Sequence, residues 1–426
     1  MNFNPLSIFT DPQMRELCAE LTALGIEKAS QRIQKYQLDQ NVRASLLTQV
    51  QLRHQAVNKL GSQALKMFFT RDGMEQATRQ QIAQLHATRF LNANATHIAD
   101  LGCGNGVDAR AFAAAKMTVS AWEIDEISHA AASLNLLNYP NCTVYQGDVT
   151  QLNIPELTAQ GIDAIFADPA RRTGAGKGNQ RVASPENWSP SLPQVFSWRE
   201  ELQKHCDTER LGVKLAPGIE HHYLPADMEA QWISVAGNLL EASLWSPACT
   251  LPTANEEEPG PGRRATIFQG ENQYDYFCPG NPGLAAPEVS ETSELKPYLW
   301  EADSAIIRGG LLHLLAEETG AEVISKQIAY LLADAPPPAK WAPAVTVYEV
   351  LGSTKLKPKA VAAELKKLAA TNVEVKKRGA EIDPANWQKE LLKSLKLKKT
   401  SADNPLTVVG TRFKGSHLAV ITRRIK

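Results

Sequence analysis

Asp100-Leu101-Gly102-Cys103-Gly104-Asn105-Gly106 stands between an apolar run, THIADL, and a segment of helix formers, VDARAFAAAK. Strand, glycine turn and helix in that order is how a parallel sheet offers backbone N–H groups to a ligand. Glycine permits the tight turn and lets the main chain approach with no Cβ in the way. A dinucleotide fingerprint needs a small residue where Val107 stands, so the spacing GxGxG suits an adenosyl ligand without a pyrophosphate.

The same rhythm continues outward. MTVSAWEID, ISHAAASLNLL, CTVYQGD and GIDAIFADP alternate strand-like and helix-like patterns, as expected of a parallel sheet with helices on both faces. The expected strands end in acids. Glu123 follows Gly102 by 21 residues, where a carboxylate accepts hydrogen bonds from both hydroxyls of a ribose, and Asp125 comes two positions later. Asp148 is set to accept from an adenine amino group. Asp168 precedes Pro169, which holds it extended at the crevice mouth, where its carboxylate and carbonyl can take the N–H groups of an amine. Arg171 follows as a clamp for an anion, with Arg172, Lys177 and Arg181 in the same glycine-rich loop. GAGKGN lacks the spacer and the Ser/Thr of a phosphate-binding loop, which excludes a nucleotide hydrolase.

These signals divide the chain at about 90, 275 and 340. Residues 1–90 read as a helical domain whose last element, GMEQATRQQIAQLHATRF, runs as one helix to about Leu91. Residues 91–275 are the α/β domain. Its later strands are LGVKLAP, EASLW and RATIFQ, the last two joined by a hairpin-like connection through SPACTLPTANEEEPGPGR. Residues 276–340 read as a linker and helical connector, closed by Pro336-Pro337-Pro338. Residues 341–426 follow the order β-α-β-α-β-β, a mixed α+β domain. Gln76 and Thr78, entering the α/β domain, stand within reach of its ligand.

Composition narrows the function. With 43% hydrophobic and 21% charged residues, the 426-residue chain is globular rather than disordered. It has no apolar run of 18 residues and no basic-then-apolar start, so neither a membrane span nor a secretory leader is expected, and the cytoplasm is the default address. Six cysteines without a CxxC pair argue against a disulfide framework or a zinc ribbon. Adjacent His221 and His222 lack a third ligand, so no metal is expected. The net charge of -1 hides an asymmetry. Residues 354–426 hold 18 basic and 6 acidic side chains, a formal +12, which leaves -13 for the rest. Lys376, Lys377 and Arg378 end one expected strand, and Arg423 and Arg424 another, so an RNA partner is expected for this end.

The motifs together resemble the class I S-adenosylmethionine-dependent methyltransferases. DLGCGNG looks like their first motif, EID the second, GD the third and DPAR the fourth. FTRDGMEQAT, DPARR, YLWEADSAIIRGGL, VYEVLGS, VEVKKRG and VITRR extend the likeness to bacterial members with a carboxyl-terminal THUMP-like domain. The resemblance implies a seven-stranded Rossmann-like methyltransferase sheet, an amino-terminal helical domain and a carboxyl-terminal ferredoxin-like or THUMP-like domain. It also implies S-adenosylmethionine as methyl donor and structured RNA as substrate. Asp100, Gly102, Gly104, Gly106, Glu123, Asp125 and Asp148 would then bind the cofactor, and Asp168, Pro169 and Arg171 the reacting group. Ala170-Arg171 replaces the Pro-aromatic pair common in amino-group methyltransferases, which leaves the target atom open. Carbon methylation would need a thiol, for which Cys249 is the candidate. A small-molecule or protein substrate, and a catalytically silent RNA-binding protein, are the rival readings.

Overall fold

The structure, a computed structural model, describes residues 4–170, 184–252, 260–397 and 405–425. The chain forms two compact units, one of residues 1–219, 223–229 and 243–261 and the other of residues 220–222, 230–242 and 262–426.

The first unit is built on β1 (His97–Leu101), β2 (Thr118–Glu123), β3 (Cys142–Gln146), β4 (Ala164–Ala167) and β5 (Arg210–Leu215). These strands pair in parallel, β2 and β4 flanking β1. Every residue of β4 is buried, as expected of a parallel strand covered on both faces. With β6 (Glu229–Val235), β7 (Asn238–Trp245), β8 (Gly262–Gln269) and β9 (Asn272–Pro279), the strand order is β3-β2-β1-β4-β5-β7-β6-β8-β9. The sheet therefore has nine strands where the resemblance implies seven, the antiparallel β8–β9 pair being the extension. EASLW and RATIFQ are not hairpin partners, because β6 lies between their strands.

Phe90, Phe112, Phe166 and Trp245 interlock in the core of this unit, Phe90 meeting Phe112 edge-on at 5.5 Å and Phe166 at 6.2 Å. Arg89 is threaded through it, fully buried, paired with Glu229 and stacked 4.6 Å above Trp245. The amino-terminal helices, among them Pro12–Leu24 and Gln40–Leu60, share a second core with the helix Glu126–Leu136 through Leu6, Phe9, Leu46 and Ala131.

The expected helix from Gly73 to about Leu91 is two helices, Arg71–Gln76 and Gln80–Asn92. Ala77 between them is extended, with ψ 133°. The break puts the Thr78 hydroxyl into the interior, where it donates to Asp108 Oδ2 at 2.6 Å. A buried hydrogen bond thus outweighs one more turn of helix, a local gain of tenths of a kcal/mol per residue.

The second unit carries the β8–β9 pair and a seven-stranded sheet. That sheet is made of β10 (Tyr298–Ala302), β11 (Glu322–Ser325), β12 (Ile328–Ala333), β13 (Val345–Lys355), β14 (Val373–Lys377), β15 (Leu406–Phe413) and β16 (Ser416–Arg424). Its order is β11-β12-β10-β13-β16-β15-β14. The β-α-β-α-β-β succession expected from 341 onward is present, with helices Pro358–Lys367 and Pro384–Leu395. Strand alternation sorts the two faces: Val408, Ala419 and Ile421 pack with the helix residues Val361, Leu365 and Leu391, whereas Val409 and Val420 pack with Leu299, Tyr330 and Tyr348. The stretch read as a linker and helical connector also supplies β10, β11 and β12 to this sheet. Runs of four to six apolar residues do not distinguish strand from helix. Among the described residues, no helix is long and apolar enough to cross a membrane.

Candidate active site

Gly102, Gly104 and Gly106 all take positive φ, +92°, +55° and +75°. Gly102 N–H and Cys103 N–H both donate to Trp122 O, at 3.0 and 2.9 Å, which ties the loop to β2. A Cβ on Gly102 would stand 2.9 Å from the carbonyl oxygen of Asp168, so glycine is required there for the loop and the end of β4 to touch. A Cβ on Gly104 would meet nothing within 4 Å: the loop opens onto space at that point. Gly106 caps the helix Val107–Ala114.

Glu123 reaches across from β2 to this loop. Its Oε2 accepts from Gly104 N–H and its Oε1 from Asp125 N–H, both at 2.9 Å. Burial raises the carboxyl pKa and these backbone N–H groups oppose it, the net direction being upward. The Asp125 carboxylate caps the helix Glu126–Leu136 by accepting from Ser128 N–H at 2.8 Å. Asp148 accepts from Thr150 N–H and Oγ1 at 2.9 and 2.7 Å and stands at the surface, and the rings of Trp122 and Tyr145 stack on the neighbouring strands β2 and β3.

Asp168 follows β4, half-exposed, with Pro169 buried behind it. Ala170 and Ser189 exchange backbone hydrogen bonds at 2.7 and 3.1 Å, which fixes where the chain leaves the strand. Arg171, Arg172, Lys177 and Arg181 lie outside the described residues.

Beneath the loop lies a group of charges of which the sequence reading named only Asp100, Asp168 and Thr78. Lys214 of β5 donates to Asp168 Oδ2 at 2.8 Å and to Thr78 Oγ1 at 3.0 Å. Asp108 Oδ1 is 2.9 Å from His86 Nδ1. Burial acts to raise the pKa of Asp108, but the hydrogen bonds and charges of His86, Thr78 and Lys214 prevail and hold it below the usual carboxylate range. Asp100 behaves oppositely. It is 1% exposed and its Oδ2 has no hydrogen-bond partner. Burial first, then the charges of Asp108 and Asp168, push its pKa well up, against Lys214 and the Ala109 N–H. The available signal for Lys214 was a charged residue inside the apolar run LGVKLAP.

Because the folded pKa of Asp100 exceeds the unfolded value of about 3.9, the folded chain holds a proton that the unfolded chain has lost. This contribution to stability therefore falls as pH rises from about 4 toward the folded value. Asp100→Asn keeps an acceptor for Ala109 and removes that titration. Its Tm relative to the wild type, measured by scanning calorimetry from pH 5 to 8, is expected to be higher at the alkaline end of that range than at the acid end. A constant difference across that range would contradict the reading.

Cys249 is fully buried and its thiol is pushed up to about 12, and burial raises Cys103 as well, so neither is poised as a thiolate. His221 Nε2 lies 2.8 Å from Arg308 O, and His222 pairs with Glu220 at 3.4 Å. Among the described residues, no three His, Cys, Asp or Glu side chains gather to hold a metal ion.

In the carboxyl-terminal sheet, part of the expected basic patch is committed internally. Lys376 pairs with Glu301 at 2.7 Å and lies over Tyr348 at 5.4 Å. Arg378 donates to Ala329 O at 3.1 Å and lies over Tyr330 at 5.2 Å, and Arg423 pairs with Glu349 at 3.3 Å. Lys377 and Arg424 are exposed.

Residues 345–424 match the THUMP domain-like family. An uncharacterised S-adenosylmethionine-dependent methyltransferase of Mycobacterium tuberculosis is 26% identical over 380 residues, 87% of this chain and 93% of that protein. The crystal structure of a Porphyromonas gingivalis protein described as a candidate methyltransferase superposes with a TM-score of 0.70 at 17% identity, over 98% of this chain and 99% of that one, a likeness of fold. By these relatives, this fold and its last domain, the chain is an S-adenosylmethionine-dependent methyltransferase with a THUMP-like carboxyl-terminal domain.

Proposed function

We propose that the chain methylates a base nitrogen in structured RNA. The observation that carries the reading is the closeness of Asp168 to the glycine loop, where only a glycine at 102 fits. The residues suit the cofactor: Gly104 borders open space, and the neighbouring Asp100 holds a buried carboxyl oxygen with no hydrogen-bond partner. Gly102, Gly104 and Gly106 would line the methionine and ribose. Glu123 would take the ribose hydroxyls, held ready by the N–H of Asp125, and Asp148 the adenine amino group. When bound, S-adenosylmethionine supplies an electrophilic methyl group on a positively charged sulfur. Asp168 would accept N–H groups of the target base, with Pro169 fixing its backbone, and Arg171, three positions later in the sequence, would serve a phosphate. The chain's task is then mainly placement, with the acceptor atom brought to roughly 3–3.5 Å from the methyl carbon.

Strand register supports an RNA-facing surface at a revised position. Lys377 lies opposite Gly410, which pairs with Ala419, and Lys355 opposite Leu418, which pairs with Thr411 next to Arg412. Lys355, Lys377, Arg412 and Lys414, all exposed, thus share one end of the sheet. Arg423, opposite Leu406, lies four residues away from that level, roughly 13 Å along the strands. Changing Lys377, Arg412 and Lys414 together to glutamine is expected to weaken RNA binding about tenfold and to flatten the log–log salt slope by about 2. An unchanged slope in filter-binding titrations would return these lysines to solvation.

The substrate is tested by nucleoside mass spectrometry of total RNA from cells with and without the gene. One methylated nucleoside should disappear. Label from the cofactor found only in protein or small-molecule fractions would overturn the RNA reading.

A further inference from the structure

Lys214 occupies the fifth position of β5 between Val213, fully buried, and Leu215, 1% exposed. A cation is costly there unless it is paired. Its ammonium is held by Thr78 Oγ1 at 3.0 Å and Asp168 Oδ2 at 2.8 Å. Thr78 in turn donates to Asp108, which His86 holds from the other side. The break between the helices Arg71–Gln76 and Gln80–Asn92 is what brings Thr78 into this chain of contacts. The pair is asymmetric: the lysine side chain keeps 10% of its accessible surface and that of Asp168 keeps 30%.

We infer that Lys214 is a positioning residue for methyl transfer, which grips one oxygen of Asp168 with its positive charge and leaves the other oxygen to serve the acceptor nitrogen. The inference rests on the reading that Asp168 receives that nitrogen. A protonated carboxyl would donate from one oxygen and lose acceptor capacity. As the nitrogen lone pair forms the N–C bond and the S–C electron pair stays with sulfur, the nitrogen becomes cationic and sheds one proton. An anionic Asp168 is the group placed to accept it. Lys59, from the helix Gln40–Leu60, adds a further positive charge near Lys214, its ammonium donating to Met74 O at 3.1 Å. Among the described residues, Lys214 is the cation in direct contact with Asp168. At 2.8 Å its effect on the carboxylate exceeds that of charges farther away.

The test needs no substrate. In full-length protein with carboxyl-13C aspartate, the Asp168 signal is identified by its loss in Asp168→Asn and followed against pH. In Lys214→Met its midpoint is expected to move up by at least one pH unit relative to the wild type, and Lys214→Arg to restore it. Should Lys214→Met fail to fold, Lys214→Met with Asp108→Asn removes the carboxylate left uncompensated and carries the same expected shift. A midpoint that does not move overturns the inference and leaves Lys214 a structural counter-ion. Turnover separates the two readings. If wild-type protein methylates RNA, the acid limb of kcat should rise in Lys214→Met with KM within threefold of wild type. If wild-type protein methylates no RNA, the RNA reading fails while the carboxyl titration still decides the role of the lysine.

Discussion

Asp168→Ala is expected to lower methyl transfer by about 10³-fold while leaving the affinity for S-adenosylmethionine within a few-fold of wild type. The loss is large because, in the role proposed for it, the side chain is both the hydrogen-bond acceptor that orients the target nitrogen and the group that takes its proton. The cofactor side should be spared, because β4 meets the glycine loop through the Asp168 carbonyl oxygen, which alanine keeps. Asp168→Asn separates the two contributions, since it retains the shape and one acceptor but not the anion. Single-turnover rates with labelled cofactor, together with calorimetric binding, provide the check. Loss of cofactor affinity in either variant would move Asp168 from the substrate side to the cofactor side.

Gly104→Leu is expected to do the reverse, weakening S-adenosylmethionine binding at least about 100-fold, or about 2.7 kcal/mol, in a chain that still folds. A side chain there meets no protein atom within 4 Å of its first carbon, so it projects into the space the ligand requires. The φ of +55° adds backbone strain of roughly 1–2 kcal/mol for a non-glycine residue, which a chain of this size can absorb. Gly102→Ala makes the contrast. There the first carbon meets the Asp168 carbonyl at 2.9 Å, so the loop and the end of β4 must separate, and turnover should suffer as well as binding. Wild-type affinity in Gly104→Leu, measured by calorimetry, would mean that Gly104 does not border the ligand.

What could be read from the sequence follows from which signals are local. The glycine turn, the acids at strand ends and the β-α-β-α-β-β order near the carboxyl end are set within a few residues of chain, and each is present in the structure. The strands β10 to β12 were not legible, because four to six apolar residues carry no period of their own, even though β11 and β12 follow each other closely and pair directly. The helix break at Thr78 was hidden for a similar reason: the segment has helix propensity throughout, and Asp108 and Lys214, which override it, are 30 and 136 residues away. The basic cluster at Lys376–Arg378 was legible as charge but not as surface. Glu301 and Tyr330, which engage two of its members, lie in the stretch read as connector. Asp125 and Asp148 were legible as acids at strand ends. That each also caps the turn or helix that follows it depends on backbone geometry.

The proposed cofactor site at the glycine loop, Glu123 and Asp168 is tested most directly by a crystal structure of the full chain with S-adenosylmethionine bound. The ribose should then lie on Glu123, the adenine toward Asp148 and the methyl carbon facing Asp168. A cofactor bound away from Gly104, or bound there with its methyl group turned from Asp168, would contradict it.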